Sequence, residues 1–248
     1  MQLWRFLLPS ALGFTFKNII HTVVDKLKGE PARPVQAARY VAQHARAGDP
    51  EDVLRTMDRF ASEERWLMNI GPEKGPLIQE LAKRLPADAR ILELGAYSGY
   101  SSIMLAMTFG RGVQVTSIEI DEDAVRSSRA NVEVAGLSDQ ITFLHGSSTD
   151  VIATLEGRFD LVFLDHWKDL YKTDLELIEQ RELIGPGSIV VADNVGEIFN
   201  PGDYLSYVRN CGRYTSENRE ASIEYTSLAD AVEISVFRPT NTISTSSS

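Results

Sequence analysis

From residue 90 onward, short apolar runs alternate with longer amphipathic segments, and this alternation restricts the possible folds more than any other feature. A short apolar run is typical of a buried strand, whereas apolar residues spaced three and four apart are typical of a helix. Strands and helices that alternate in this way form crossovers in a parallel sheet covered by helices on both faces. The predicted strands are residues 90–94, 113–118, 141–144, 159–164 and 188–192, and the predicted helices are residues 100–109, 121–135, 148–155, 173–183 and 204–210.

The segments on either side of this region follow a different pattern. Residues 213–220 and 231–237 are predicted strands with no full helix between them, which indicates an antiparallel edge of the sheet. The upstream segment contains only helical patterns, and the first of them stops at the breaker sequence Gly48-Asp49-Pro50. We therefore expect helical additions in front of an α/β domain. The predicted upstream helices are residues 35–46, 52–66 and 74–85.

The two chain ends are predicted to lie outside a single folded domain at residues 31–239. Residues 240–248 form a polar tail that cannot bury a core, and we expect it to be disordered. The N-terminal extension, residues 1–30, contains an apolar stretch at 3–20 that is too short and too charged for a convincing membrane span. A helix packed on the domain or a flexible extension is the simplest interpretation. A weak interfacial membrane anchor is the alternative.

Composition excludes some classes of function. The net charge is -10 and the isoelectric point is about 5.0, which argues against a nucleic-acid partner because phosphate binding needs clustered Lys and Arg. The only cysteine, Cys211, cannot form an intramolecular disulfide. A reducing compartment is the simpler interpretation, so we expect a cytoplasmic protein, and a monomer.

The loop after the first predicted strand contains a binding motif. Gly95 and Gly99 let the backbone turn tightly and approach a ligand closely, but their G-x-x-x-G spacing is not the one that holds a pyrophosphate. Glu93 would attract a cationic amino-acid or sulfonium group, and Glu119, at the end of the second strand, could accept both hydroxyls of a ribose. This combination is the pattern of S-adenosylmethionine methyltransferases. Each residue alone also fits an ordinary strand–helix turn.

Two later strands run directly into acidic residues. The fourth predicted strand ends at Asp165, and the fifth ends at Asp193 and Asn194. On adjacent parallel strands, both carboxylates would lie at the same rim, where a cation would compensate for their charges. Two carboxylates and an amide oxygen suit Mg²⁺ better than zinc. A catechol could complete the coordination, and Lys168 is placed to take its proton, although alone it would be interpreted as a surface lysine.

With these motifs taken together, the chain resembles the catechol O-methyltransferases over about residues 37–237. The run Leu164-Asp165-His166-Trp167-Lys168 is a highly specific part of the match. The other matching motifs are Gly48-Asp49-Pro50, Trp66-Leu67-Met68-Asn69-Ile70-Gly71, Lys74-Gly75, Leu92-Glu93-Leu94-Gly95-Ala96-Tyr97, Ala192-Asp193-Asn194-Val195 and Glu224-Tyr225.

The resemblance implies a Rossmann-like class I methyltransferase fold: a seven-stranded, mostly parallel sheet with helices on both faces and an antiparallel C-terminal strand. It also implies S-adenosylmethionine and Mg²⁺ as cofactors and methyl transfer to one hydroxyl of a small catechol. The implied metal ligands are Asp165, Asp193 and Asn194, and the implied catalytic residues are Lys168, as general base, and Glu224, which would hydrogen-bond the second hydroxyl. The implied catechol contacts are Trp66, Lys168, Asn194 and Glu224. The implied cofactor contacts are Met68, Ile70, Glu93, Gly95, Tyr97, Ser101, Glu119, Ser148, His166 and Trp167.

Two departures from the family pattern concern specificity. Thr149 stands where the mammalian enzymes carry a glutamine that faces the adenine, and the loop at residues 196–201 is one residue longer than in the family. Related Mg²⁺-dependent enzymes that act on caffeoyl-type or other vicinal diphenols therefore remain an alternative. A nicotinamide-dependent oxidoreductase is disfavoured by the missing G-x-G-x-x-G motif. A noncatalytic relative with the same fold is disfavoured because the metal ligands and the base are retained.

Overall fold

In a computed structural model, residues 9–226 and 228–238 are described. The strands form one sheet in the order β3-β2-β1-β4-β5-β7-β6. Strands β1 to β5 are mutually parallel, β7 is antiparallel to β5, and β6 is antiparallel to β7. The predicted mostly parallel sheet with an antiparallel edge is therefore confirmed. The strands are β1 (Arg90–Leu94), β2 (Gln114–Glu119), β3 (Ile141–His145), β4 (Leu161–Leu164), β5 (Ile189–Ala192), β6 (Tyr214–Ser222) and β7 (Ala229–Phe237).

The α-helices from α5 to α9 agree with the predicted segments to within three residues at each end, and two predicted helices nearer the N-terminus change type along their length. The predicted helix at residues 52–66 changes to a π-helix at Phe60–Glu64, and the one at 74–85 begins earlier and ends as a 3-10 helix at Glu80–Arg84. A further 3-10 turn, Lys168–Leu170, precedes α8. The described α-helices are α1 (Pro9–Lys28), α2 (Arg33–His44), α3 (Pro50–Arg59), α4 (Gly71–Gln79), α5 (Tyr100–Phe109), α6 (Glu122–Ala135), α7 (Ser148–Ile152), α8 (Tyr171–Gln180) and α9 (Gly202–Asn210).

Apolar side chains on both faces of the sheet form two separate cores. Ile91 of β1 and Phe163 of β4 belong to the core shared with α2 to α6. Their neighbours in sequence, Leu92 and Leu164, belong to the core shared with α7, α8 and α9. This alternation follows from the two-residue period of a strand. The central strands are therefore buried on both faces, and their carboxyl ends are the open edge where a ligand can bind.

Helix α1 extends beyond the apolar stretch that the sequence singled out at residues 3–20. It is attached to the domain by polar contacts: the Arg65 Nε to Asp25 Oδ1 distance is 2.9 Å, and Arg33 Nη1 donates to Asn18 Oδ1 over 2.9 Å. These long-range pairs were not visible in the local pattern. The predicted boundary at residue 31 stays a prediction, and the predicted tail at residues 240–248 lies outside the described residues.

The outer side of α1 leaves large apolar side chains in solvent. Ile19, Ile20, Val23 and Leu27 are between 43% and 82% exposed. Within residues 9–226 and 228–238, none of the helices combines the length and the apolar content needed to span a bilayer.

Candidate active site

The carboxyl ends of β1, β4 and β5 meet at one rim. The backbone N–H of Asp165 donates to Leu94 over 2.9 Å, and the N–H of Asp193 donates to Leu164 over 2.9 Å. The register pairs Leu164 with Ala192, so the two aspartates follow neighbouring strands at the same level. The structure therefore brings these two acids to one rim, as the sequence pattern predicts.

Gly95 lets the loop after β1 pass close to this rim. Its φ is +99°, and a Cβ atom at this position would lie 2.6 Å from the carbonyl oxygen of Asp165. Any side chain at position 95 would therefore clash with the backbone of Asp165, which cannot move aside as a flexible side chain could. The glycine loop and the end of β4 are consequently in direct contact.

A cavity of about 280 Å³ lies between the ends of β1, β2, β3 and β4. The side chains of Met68 and Trp167 at its wall are 46% and 58% exposed, which fits a ligand-binding surface. Three predicted cofactor contacts, Ile70, Glu93 and Ser101, are buried and are not part of its lining. The predicted cofactor contacts that do line it are Met68, Gly95, Tyr97, Glu119, Ser148, His166 and Trp167.

Two acidic residues near the cavity are held in different ways. Glu119 accepts the backbone N–H of Tyr97 at Oε2 and that of Asp121 at Oε1, over 2.9 and 3.0 Å, so its orientation is fixed. Glu93 is fully buried and accepts hydrogen bonds from Ser102 and Ser117 through Oε2. Its Oε1 atom has no hydrogen-bond partner among the described residues. Burial raises the pKa of Glu93 above its ordinary value, so a nearby cationic ligand would stabilise its ionised form.

The metal-ligand prediction concerns Asp165, Asp193 and Asn194. Burial raises the pKa of Asp165 to about 7; Lys168, whose Nζ lies 3.1 Å from Asp165 Oδ1, opposes this rise, and the Asp193 carboxylate adds to it. The Oδ2 atom of Asp193 is buried and has no hydrogen-bond partner within the described part of the chain. Two like charges and an unpartnered oxygen are features that a bound cation would stabilise.

A second buried cation, Lys74 of α4, lies beside Asp193. Its Nζ is 2.7 Å from Asp193 Oδ1, 2.6 Å from Glu224 Oε1 and 2.7 Å from Asp230 Oδ2. Burial would lower the pKa of Lys74, but these three carboxylates raise it well above the ordinary value. Burial has the opposite effect on a carboxyl group and raises the pKa of Glu224 to about 8, although the positive charge of Lys74 opposes this rise. Lys74 is therefore held as a cation, and Glu224 takes up a proton more readily than an ordinary glutamate.

Aromatic and aliphatic side chains form a wall next to this rim. Trp66 Nε1 donates to the carbonyl of Glu224 over 2.9 Å, and its ring packs against an apolar cluster that includes Ile198 and Phe199. The Phe199 ring centroid lies 5.8 Å from Lys168 Nζ. The predicted substrate residues Trp66, Lys168, Asn194 and Glu224 are thus brought together, and the loop at residues 196–201 contributes Phe199 to the same wall.

Comparisons with known proteins identify the family of the chain. Residues 44–206 match the O-methyltransferase family. A catechol O-methyltransferase B of Danio rerio is 35% identical over 249 residues, which cover 95% of this chain and 92% of that protein. The chain belongs to the O-methyltransferase family. A catechol O-methyltransferase of Mus musculus is 36% identical over 205 residues, which cover 81% of this chain and 77% of that protein.

A solved O-methyltransferase from Bacillus cereus in complex with SAH has the same fold, with a TM-score of 0.64 at 19% identity. The match covers 89% of this chain and 98% of that one. Family membership confirms the predicted enzyme class, an S-adenosylmethionine-dependent O-methyltransferase. The class I fold predicted from the strand and helix pattern is confirmed as well.

In this O-methyltransferase, Thr149 has a structural role. Its Oγ1 donates to Asp174 over 2.6 Å, and Asp174 also accepts from Ser148 and pairs with His166 Nε2 over 2.9 Å. Burial would raise the pKa of Asp174, but these hydrogen bonds hold it below the ordinary value. Thr149 therefore helps to orient His166 at the cavity wall.

Two residues of this O-methyltransferase site were missed by sequence reasoning. Lys74 was noted only as part of a matching motif, and Asp230 was not noted at all. Their contact joins positions 156 residues apart, and the contact between Lys74 and Glu224 joins positions 150 apart. The available signal was the family motif Lys74-Gly75, because a matched lysine in a segment that packs on the core needs a buried partner.

Proposed function

We propose that this enzyme transfers the methyl group of S-adenosylmethionine to one hydroxyl of a catechol and that Mg²⁺ holds the catechol in place. One observation carries the proposal: two carboxylates from adjacent strand ends, the buried Asp193 and the 10%-exposed Asp165, share a rim with Lys168 and Glu224. The relatives named catechol O-methyltransferase from fish and mouse support the choice of substrate.

The residues at the rim fit Mg²⁺. Asp165 and Asp193 would hold the ion together with the amide oxygen of Asn194, which forms an oxygen-only ligand set. Asp193 supplies a buried oxygen, Oδ2, that has no partner among the residues that the structure describes. When bound, Mg²⁺ would lower the pKa of a coordinated hydroxyl.

The remaining residues would bind, orient and deprotonate the catechol. Lys168 Nζ would accept the proton of the reacting hydroxyl, since it lies beside Asp165 and at most 10% of its side chain is exposed. The Glu224 carboxyl group would hydrogen-bond the second hydroxyl. Trp66 and Phe199 would flank the ring and exclude water. Methyl transfer then depends mainly on alignment of the oxygen with the methyl carbon and the sulfur.

The cavity of about 280 Å³ is the proposed site for S-adenosylmethionine. Glu119, which two backbone N–H groups orient, would bind the ribose hydroxyls. Trp167 and Met68 would cover apolar parts of the cofactor. Glu93 would favour a cationic group of the cofactor, because its buried charge is incompletely paired among the described residues.

The deciding experiment measures methyl transfer from radiolabelled S-adenosylmethionine to dihydroxybenzoate, with Mg²⁺ and with EDTA. We expect activity that needs Mg²⁺ and that Asp165→Ala abolishes. The matched control is Asp160→Ala, because Asp160 lies before β4, at the opposite end of the same strand, and accepts the N–H of Arg90. Full activity in EDTA, or in the Asp165→Ala variant, would show that the metal is not part of the mechanism.

The alternative substrate class is a caffeoyl-type or other vicinal diphenol. We keep this alternative because the loop at residues 196–201 forms part of the wall of the proposed substrate site, where its Ile198 and Phe199 belong to the cluster that packs against Trp66. A panel of diphenols that differ in the size of the ring substituent distinguishes the two classes. A kcat/KM that is highest for simple catechols supports the first proposal, and one that is highest for caffeoyl-type compounds supports the second.

We further propose a cytoplasmic, monomeric enzyme that associates weakly with membrane surfaces through residues 3–20. The exposed side chains Ile19, Ile20 and Val23 support this proposal, as do Lys26 and Lys28 in the last turn of α1. Co-sedimentation with phosphatidylserine vesicles tests it. We expect binding that Ile20→Asp reduces, and equal recovery of both proteins in the supernatant would contradict it.

A further inference from the structure

The ammonium group of Lys74 lies where a metal ion could otherwise bind. Its Nζ atom is 2.6–2.7 Å from one oxygen each of Asp193, Glu224 and Asp230. The possible ligand atoms of these three residues lie within 4.8 Å of one another, which is close enough to share one cation. The three acids and Lys74 are at most 5% exposed, so water contributes little to neutralising them.

The Lys74 ammonium group has one carboxylate partner for each of its three N–H groups. An ammonium group has three N–H donors, and each of the three carboxylates accepts at hydrogen-bond distance. Asn194 adds donors to the same oxygens: its Nδ2 lies 2.9 Å from Asp230 Oδ2, and its backbone N–H donates to Asp193 Oδ1 over 2.7 Å. Asp193 Oδ1 is therefore engaged twice, whereas Asp193 Oδ2 has no partner in the described ranges.

The two oxygens of Asp193 therefore differ: Oδ1 is bound to the internal cation Lys74, and Oδ2 is available to a second cation. We infer that Lys74 is a positioning residue that takes the place of a second metal ion. It holds Asp193 through Oδ1, leaves Oδ2 to Mg²⁺ and fixes Glu224 at the substrate side, so the centre takes one divalent ion instead of two. The inference rests on the proposed function only in assigning the external ion to Asp165 and Asp193.

The test counts bound Mn²⁺ by electron paramagnetic resonance of the free ion during titration. We expect Lys74→Ala to bind one more Mn²⁺ per chain than the wild type, because it opens a cage of three carboxylates. The Lys74→Ala/Asp230→Asn double variant should lose that extra ion, since the cage then retains two carboxylates. A Lys74→Ala protein that is folded by circular dichroism and binds no additional ion would overturn the inference.

Two variants that retain Lys74 keep the test valid if Lys74→Ala does not fold. The Glu224→Gln and Asp230→Asn proteins should each bind Mn²⁺ with a Kd within about threefold of the wild-type value, because these acids pair with Lys74 and are not ligands of the metal. A loss of a hundredfold or more in either variant would make that acid a metal ligand and would overturn the inference. A structural ion pair alone would change stability without changing the number of bound ions.

The outcome also separates this inference from the proposed function. A wild-type protein that binds Mn²⁺ but methylates no diphenol would contradict the proposed substrate and leave the role of Lys74 intact. A wild-type protein that binds no Mn²⁺, together with a Lys74→Ala variant that binds one, would contradict the proposed metal site and still support Lys74 as the internal cation.

Discussion

Two buried lysines stand on either side of the acidic rim, and their surroundings differ. Lys74 lies among three carboxylates and is fully buried. Lys168 pairs with one carboxylate, Asp165, and lies 5.1 and 5.8 Å from the ring centroids of Tyr171 and Phe199. An ammonium that gives all its hydrogens to carboxylates is a fixed charge. Lys168, which pairs with one carboxylate among the described residues, is the lysine that we propose as the general base. The comparison therefore separates a lysine held among carboxylates from the lysine that is proposed to contact the substrate.

The largest expected effect concerns Lys168. With saturating Mg²⁺ and S-adenosylmethionine, Lys168→Met should lower kcat by about 10²–10⁴-fold, the usual range for loss of a general base. The Kd of S-adenosylmethionine, measured by calorimetry, should stay within about threefold. The matched control is Lys172→Met, because Lys172 is more exposed and pairs loosely with Glu176 at 3.9 Å. Equal losses of activity in both variants would contradict the assignment of Lys168 as the base.

The second expected effect is on stability, and it concerns Lys74. Lys74→Met should lower the free energy of unfolding by about 3–5 kcal/mol without added divalent ions, since it leaves buried carboxylates without their counter-ion. Under the same conditions, Lys168→Met should cost clearly less, because it removes the partner of one carboxylate instead of three. Urea unfolding of the two variants measures the difference. Equal losses of stability would mean that the two lysines compensate buried negative charge to the same extent.

The same contrast explains what the sequence could predict. The bounds of β1 and α5 were predicted correctly, since local apolar spacing determines them. Asp165 and Lys168 could also be predicted, because both follow one strand within a specific motif. Two partners of Lys74, Glu224 and Asp230 of β7, lie 150 and 156 residues away in the sequence. The third, Asp193, follows the end of β5. No local pattern records such pairing, so the cluster became visible only when the chain was folded.

A third prediction tests how fully Lys74 neutralises its three partners. The pKa of Glu224 is raised to about 8 from an ordinary value of 4.5 because burial outweighs Lys74. Between these values Glu224 binds more protons in the folded protein than in the unfolded chain, so this group makes the stability fall as the pH rises. The slope for one group is at most about 1.4 kcal/mol per pH unit. Asp165, whose pKa is about 7, adds to the fall at lower pH.

The measurement is urea unfolding in EDTA between pH 5 and pH 9. Glu224→Gln should flatten the curve above about pH 7, where Asp165 is already mostly ionised. Glu220→Gln is the matched control, because Glu220 is an exposed glutamate on β6, and it should leave the slope unchanged. A wild-type stability that rises between pH 5 and pH 8 would mean that Lys74 fully compensates Glu224.

The smallest expected effect concerns the apolar side of Lys168. Phe199, in the loop at residues 196–201, is 8% exposed and belongs to the apolar cluster against which Trp66 packs. Phe199→Ala should open space next to Lys168 and raise kcat/KM for diphenols with bulky substituents, relative to unsubstituted catechol, by about tenfold. Leu228→Ala removes a side chain from the same apolar cluster without a described contact to Lys168, so it should lower stability and keep the ratio. If both variants shift the ratio equally, looser packing of the cluster explains the change, and Phe199 has no specific role in selecting the substrate.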